Sequence, residues 1–328
     1  MTDRKPIAAF NLKQKWLQER VLEVAPPEFE VRFPEQGTPG KGWIEIMKDA
    51  DFLMTCGLRA KHIATLERCK LVQHQGVGHD GIDLDALTEA GIPFAVTPEG
   101  TVIGVAEHTI LLMLALSKHL VQVHQFVRDG NFNSLAWRPT CHFLNGRTVG
   151  ILGFGRIGRR AAYLAHAFGV NLLYSDVVRA PEDVEKELDA KYVSLEELLS
   201  QSDIVSMHTP LTPETEGMLG AEQFALMKKG ALFVNTGRGK TYDMDALYES
   251  LKSGHIGAAG LDVFNPEPPP SDHPILQLPN VICTPHMATG TVEAHLRKAQ
   301  AQFANFQRVL RGEAPINVLN KPKQPLAR

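Results

Sequence analysis

Three polar side chains in the second half of the chain are of types that together could hold an acid and move a proton. Arg238 sits in VNTGRG, directly after the apolar run Ala231–Asn235. Glu267 follows Leu261-Asp262-Val263-Phe264, and His286 follows Val281–Thr284 in TPH. A planar guanidinium grips a carboxylate through two parallel hydrogen bonds, which lysine cannot imitate. Histidine exchanges a proton near neutral pH, and a neighbouring carboxylate raises its pKa so that the acid form is available. Hydride transfer to a 2-keto acid needs this set: a clamp for the carboxylate, a proton for the oxygen, and a nicotinamide. Each residue alone has a plainer reading. An arginine in a Gly-rich loop is commonly a surface or capping residue, a glutamate in a Pro-rich loop is commonly solvated, and most of the 13 histidines are structural. Position joins the three. Each follows a predicted strand, on the edge where open α/β sheets bind ligands.

The nicotinamide has its own signature between Thr148 and Asp176. TVGILGF reads as a strand, Gly153, Gly155 and Gly158 form G-x-G-x-x-G, and Arg159 to Phe168 is helix-compatible. A second apolar run, Val170–Tyr174, leads to Asp176, 23 residues after Gly153. Gly153 allows the tight turn, Gly155 lets backbone approach a pyrophosphate, and Gly158 lets the helix sit close on the sheet. An acid at Asp176 can bond a ribose 2′-hydroxyl and repel a 2′-phosphate, which argues for NAD over NADP, with Arg179 nearby as the opposing feature. A glycine turn alone is weak evidence; strand, helix and acid in register make it specific.

The elements that must position these residues alternate strand and helix throughout. Candidate strands in the first hundred residues are Ile7–Phe10, Glu30–Phe33, Phe52–Thr55, Leu71–His74 and Phe94–Thr97. Thr97-Pro98-Glu99-Gly100 then precedes one long predicted helix, about Val102 to Arg128. Further strands are expected near Gly150, Leu172, Ile204, Leu232, Gly260 and Ile282, with helices Leu195–Gln201, Glu222–Lys228 and Met244–Ser253 among them, and a last helix at about Val292–Arg311. Such alternation predicts an α/β fold of parallel sheets covered by helices on both faces. The length, 328 residues, suggests two domains.

Composition narrows the function classes. With 44% hydrophobic and 22% charged residues the chain reads as an ordinary globular protein, and a net charge of −3 gives no general attraction to nucleic acid or an anionic membrane. Cys56, Cys69, Cys141 and Cys283 show no framework spacing, which predicts reduced thiols in a cytoplasmic protein. The N-terminus has no signal-peptide stretch, and the most apolar run, Ile110–Leu116, is too short to span a membrane. No metal is expected: His119 and His124 are five apart and face differently on a helix.

Taken together the motifs resemble the D-isomer-specific 2-hydroxyacid dehydrogenase family, which includes D-3-phosphoglycerate dehydrogenases and glyoxylate/hydroxypyruvate reductases. The resemblance runs from about Asp51 to Asn320. It rests on GVGHDGID (Gly76–Asp83), AEHTILLMLAL (Ala106–Leu116), LNGRTVGILGFGRIGR (Leu144–Arg159), HTPLTPET (His208–Thr215), VNTGRG (Val234–Gly239), LDVFNPEP (Leu261–Pro268) and TPH (Thr284–His286). It implies that Arg238 binds the substrate carboxylate and carbonyl oxygen, that His286 is the general acid/base, and that Glu267 pairs with it. It further implies that Arg156 and Ile157 offer backbone amides to the pyrophosphate. Thr209 and Pro210 would line the adenosine side, with Thr215 of the same segment among the cofactor contacts. Thr236 would lie on the nicotinamide side, Asp262 would hold the carboxamide, and backbone at Val77 and Gly78 would meet the substrate carboxylate. The implied architecture is two doubly wound parallel-sheet domains, flavodoxin-like and Rossmann, with substrate in an interdomain cleft. Residues 1–100 and 287–328 would form the substrate domain, and 101–286 the NAD-binding domain. A homodimer built on the helix after Gly100 is also implied.

Two departures bear on substrate. Where phosphoglycerate-type relatives carry a basic residue, often as R-S, this chain has Thr55-Cys56-Gly57, which disfavours a phosphorylated substrate although Arg59 is close in sequence. His79-Asp80-Gly81 replaces the usual Thr-Asp-Asn, and His79 is open to a substrate or a structural role. The chain stops at Arg328, so no regulatory domain is expected. The expectation is an NAD-dependent reductase of a small, unphosphorylated 2-keto acid. The rival classes are a phosphoglycerate-type dehydrogenase and a nicotinamide-sensing regulatory module of the same fold.

Overall fold

The structure is a computed structural model and describes residues 4–35 and 41–322. The chain divides into two compact units, Met1–Thr101 with Gly290–Arg328, and Val102–Thr289.

The first unit holds five short strands: β1 (Ile7–Phe10), β2 (Glu30–Arg32), β3 (Phe52–Met54), β4 (Leu71–Gln73) and β5 (Phe94–Ala95). They pair in parallel in the order β2-β1-β3-β4-β5. This is the flavodoxin-type winding, whose direction reverses between β1 and β3. Side chains of period two feed two separate cores. Leu53 of β3 points into one, with Ile7, Val72 and Phe94. Its neighbours Phe52 and Met54 point into the other, with Phe10 and Phe29. That second core is closed by the helix Val292–Leu310, whose Phe303 and Phe306 are buried; Phe306 stacks on Phe52 with ring centroids 4.7 Å apart. Thr291 starts that helix by accepting a hydrogen bond from Ala294 N at 3.1 Å, as an N-cap does.

The second unit holds β6 (Thr148–Leu152), β7 (Asn171–Ser175), β8 (Ala190–Tyr192), β9 (Ile204–Met207), β10 (Ala231–Asn235), β11 (Ile256–Leu261) and β12 (Val281–Cys283). All pair in parallel, in the order β12-β11-β10-β9-β6-β7-β8. Counted from β6 this is the doubly wound dinucleotide order, with its switch point between β6 and β9. The inner strands, β6, β9, β10 and β11, are buried on both faces, as parallel strands between helices must be, and the two edge strands are not. Ile204 and Val234 enter one core and Val205 and Phe233 the other.

The fold class is the one expected, and three local readings are corrected. The long helix predicted over Val102–Arg128 is two helices, Thr101–Ser117 and Leu120–Arg128, bent by 58°. The break falls at His119, whose φ is +50°, where the sequence passes from an apolar, buried helix to one with no buried residue. The short strand β8 was not anticipated; two of its three residues are exposed, so no apolar alternation announces it. Several strands are also one or two residues shorter than predicted, β5 ending at Ala95 rather than Thr97. Among the described residues no single helix is long and apolar enough to cross a membrane; the bent pair meets that test by length and composition only. The four cysteines are free.

Candidate active site

Strand register gathers the site. Leu152 of β6 lies opposite Met207 of β9, Met207 opposite Asn235 of β10, Asn235 opposite Leu261 of β11, and Leu261 opposite Cys283 of β12. The residues that follow, Gly153, His208, Thr236, Asp262 and Thr284, therefore leave the sheet along one edge. The loops they open carry the glycine motif, Thr209, Arg238, Glu267 and His286.

His286 and Glu267 form a hydrogen-bonded pair. His286 Nδ1 lies 2.8 Å from Glu267 Oε2, and the other carboxylate oxygen, Oε1, accepts from Phe264 N at 3.0 Å. The bond to Glu267 raises the His286 pKa above its ordinary value; burial and the charge of Arg238 oppose this, and Asp262 adds to it. Burial would push Glu267 up, but His286, the Phe264 amide and Arg238 together bring it below its usual range. With Nδ1 committed to the carboxylate, Nε2 is the nitrogen left to face a substrate. Arg238 is near enough to act electrostatically on both partners, and its Nη1 donates to Gly237 O at 2.8 Å.

Backbone geometry aims these side chains. His286 has φ of +51°, a left-handed conformation uncommon for residues other than glycine. It is held there by Asp262. That carboxylate has no exposed surface and accepts from Thr284 Oγ1 at 2.6 Å, Met287 N at 2.9 Å and Ala288 N at 2.9 Å. His108 Nε2, on the helix Thr101–Ser117, lies 3.0 Å from Thr284 Oγ1 and extends the chain of bonds. Asp262 is thus the clasp of the His286 turn, with two of these donors on Oδ1 and one on Oδ2, which leaves Oδ2 a further acceptor position. The arginine loop is tied in the same manner. Asn235, fully buried, accepts from Gly237 N at 2.8 Å and donates to Arg238 O at 3.1 Å. A Cβ on Gly239 would collide with the carbonyl of Phe264, so the loops bearing Arg238 and Glu267 lie in direct contact there.

The cofactor turn fits a dinucleotide. Gly153 has φ of +91°, and a Cβ on it would stand 2.7 Å from Thr209 N. A Cβ on Gly158 would strike the Gly153 carbonyl, whereas one on Gly155 would meet nothing within 4 Å. The turn is therefore closed on its protein side and open on the side a pyrophosphate must approach. Gly155 also begins the helix Arg156–His166 with no side-chain cap, as phosphate-binding helices do. Asp176 Oδ2 accepts from Phe154 N at 2.6 Å and Oδ1 from Val178 N at 3.1 Å, which fixes the carboxylate beside the turn with lone pairs to spare. Arg179 is bound to Glu185 through Nε and Nη2, both at 2.9 Å, and that partner, with Tyr174, holds Glu185 down at about 2. A guanidinium so engaged is a poor receptor for a 2′-phosphate.

Other expected contacts have structural partners of their own. The Thr215 hydroxyl donates to Pro210 O at 2.6 Å and accepts from Thr212 N at 2.8 Å, shaping the loop after β9. Thr236 Oγ1 lies 3.0 Å from Thr109 Oγ1, on the helix Thr101–Ser117. Val77 and Gly78 belong to the first unit, in the loop after β4, where His79 Nδ1 lies 3.3 Å from Val77 O. Four residues that organise the site were not singled out from sequence: Asn235, Thr284, His108 and His208. His208 bonds Ser206 Oγ at 2.9 Å, and burial holds its pKa down at about 4. The legible signal for Asn235 was a lone polar residue closing an apolar strand.

Comparison with known proteins agrees with this geometry. The family model described as D-isomer specific 2-hydroxyacid dehydrogenase, NAD binding domain, matches residues 110–288. A glyoxylate reductase of Korarchaeum cryptofilum is 40% identical over 93% of this chain and 94% of its own. A D-3-phosphoglycerate dehydrogenase of Methanocaldococcus jannaschii is 40% identical over 86% of this chain, which spans 54% of that longer relative. Among solved structures, the holo form of D-mandelate dehydrogenase from Rhodotorula graminis superposes with a TM-score of 0.86 at 27% identity, covering 98% of this chain and 99% of that one.

Proposed function

The chain belongs to the D-isomer-specific 2-hydroxyacid dehydrogenase family, and from that premise we propose that it interconverts a small, unphosphorylated 2-keto acid and its D-2-hydroxy acid with His286 as the proton donor. It is an NAD-dependent oxidoreductase. The observation that carries the proton role is the 2.8 Å His286–Glu267 pair beside Arg238, on the sheet edge that also bears the glycine turn.

Arg238 clamps the substrate carboxylate through parallel hydrogen bonds and polarises the carbonyl to be reduced. Backbone amides at Val77 and Gly78 hold the same carboxylate. His286, kept protonated by Glu267, gives its Nε2 proton to the carbonyl oxygen as negative charge develops there. Bound at the turn of Gly153, Gly155 and Gly158, the reduced nicotinamide supplies the hydride for C2. In oxidation His286 starts neutral and accepts the hydroxyl proton. Arg156, Ile157, Thr209, Pro210, Thr215 and Thr236 border the cofactor, and Asp176 selects the unphosphorylated ribose. Asp262, besides clasping the turn, would hold the nicotinamide carboxamide through the acceptor position left on Oδ2.

In this reading residues 1–100 with 287–328 serve the substrate and 101–286 the cofactor. The protein works as a homodimer, supported by the apolar side chains left exposed around the helix Leu120–Arg128, among them Phe132 at 93% and Phe143 at 78% exposure. Four free cysteines are in keeping with a reducing, cytoplasmic setting. The test is a steady-state assay of NADH oxidation with glyoxylate, hydroxypyruvate and pyruvate. His286→Ala lowers turnover roughly 10²–10⁴-fold with NADH affinity little changed. Undiminished turnover in that variant removes His286 from the reaction.

A further inference from the structure

A small pocket of mixed polar and apolar lining lies in the first unit, where the mechanism above assigns nothing. Its walls come from the carboxyl ends of three neighbouring strands: Leu12 just past β1, Met54 at the end of β3 and Gln75 just past β4. The helix Lys15–Val24 contributes Arg20, and the helix Val292–Leu310 contributes His295 and Lys298. β1 and β3 are the pair between which the winding reverses, the place where open α/β sheets take ligands.

Lys298 is the anomaly in it. One stripe of the helix Val292–Leu310 buries Lys298, Gln302 and Asn305 in succession. Asn305 Nδ2 donates to Gln73 Oε1 and to Ile316 O, both at 3.0 Å, and Gln302 Nε2 reaches Thr97 Oγ1 at 3.5 Å. Lys298, only 4% exposed, has no hydrogen bond or ion pair to its ammonium among the described residues. A buried ammonium without a partner is costly and is rarely kept in a core.

The surrounding groups do not neutralise it. Arg20 is already paired with Glu23 at 2.7 Å. Burial, and then the charge of Lys298, hold His295 down at about 4, so it is neutral. Cys56 is exposed as a residue, but burial of its thiol raises the pKa above the usual range, and it too is neutral at pH 7. Desolvation lowers Lys298 to about 8, which leaves it mostly protonated near neutral pH. Among the described residues no acidic side chain lines the cavity. Its volume, about 10 Å³, is that of a site for one water-sized group, which suits the tip of a ligand rather than its body.

We propose that Lys298 is the specificity residue for the far end of the substrate, taking a second carboxylate, so that the preferred substrates are 2-keto dicarboxylic acids. This rests on the function proposed above, in which Val77 and Gly78 hold the reacting end; Gln75, in the pocket wall, belongs to the same loop. The ammonium gives the distal carboxylate a charge-assisted hydrogen bond, and the anion supplies the counter-charge the fold omits.

The experiment compares kcat/KM for 2-oxosuccinate with that for 2-oxobutyrate, which carries a methyl in place of the second carboxylate, in the wild type and in Lys298→Met. The expected result is a preference for 2-oxosuccinate that falls about 10- to 100-fold in the variant, the scale of one charge-assisted bond. An equal ratio in the two proteins, with both keto acids reduced, overturns the proposal. If neither protein reduces any keto acid, the proposed function fails, and succinate then tests the pocket alone. The wild-type Tm rises with succinate and that of Lys298→Met does not; a like response in both overturns the pocket. Lys298→Gln, read by the same assays, serves if the methionine variant does not fold.

Discussion

His286 combines an unusual backbone with a perturbed ionisation, and both have identifiable causes. Its left-handed φ is sustained by three hydrogen bonds into the buried Asp262 carboxylate. Such conformations cost free energy and persist only where neighbours over-determine them. The raised pKa comes chiefly from Glu267. If His286 is the proton donor as proposed, reduction needs its imidazolium, and kcat/KM for the keto acid is expected to be high at low pH and to fall as pH rises through the elevated His286 pKa. Glu267→Gln removes the main cause of elevation while burial and Arg238 still press downward. The break in the profile then moves to lower pH, toward or below the ordinary histidine value of about 6.5. A profile from pH 5 to 9 decides this; an unmoved break contradicts the role given to Glu267. At this scale the sequence located the loops that carry Arg238, Glu267 and His286 at one sheet edge and the structure pairs His286 with Glu267, because each loop follows a legible apolar strand. For Asp262 the sequence did not announce the second duty the structure shows, three hydrogen bonds accepted from the turn that carries His286, because that depends on burial and on chain direction after β12.

The elements act through register and close approach. β6 and β9 diverge in the winding, and the glycine turn fills the gap at their ends, with Gly158 pressed on the Gly153 carbonyl. Gly158→Ala places a Cβ against that carbonyl and forces helix and turn apart, at a cost of about 1–3 kcal/mol. NADH affinity in this variant, measured by fluorescence titration, weakens at least roughly tenfold, the equivalent of 1.4 kcal/mol. Unaltered affinity would show that the helix need not sit so close. Most strands announce themselves because each is a short apolar run between turn residues. The exceptions have physical reasons. β8 lies at the sheet edge with little apolar surface, and the bend at His119 contains neither glycine nor proline to mark it.

At the scale of the whole molecule, each unit has its own pair of cores, one on either face of its sheet. The second unit also carries an apolar surface with no occupant in a single chain: Leu120, Val121, Phe132, Leu135 and Phe143 are all exposed. Isolated exposed apolar residues are common, but a run of them within one segment is what the proposed homodimer would bury. Sedimentation of the wild type is expected to give twice the chain mass, and Phe132→Asp with Phe143→Asp to give a monomer. A wild type that sediments as a single chain removes the homodimer.

One contact has a wider consequence. Since the Gly239 backbone abuts Phe264, the loop that carries Arg238 and the loop that carries Glu267 cannot drift independently. On the proposed mechanism this contact couples the grip on the reacting end to the proton donor, so a change of substrate preference would be expected to come from residues of the first unit, such as Gln75 and Lys298, with that coupling left as it is.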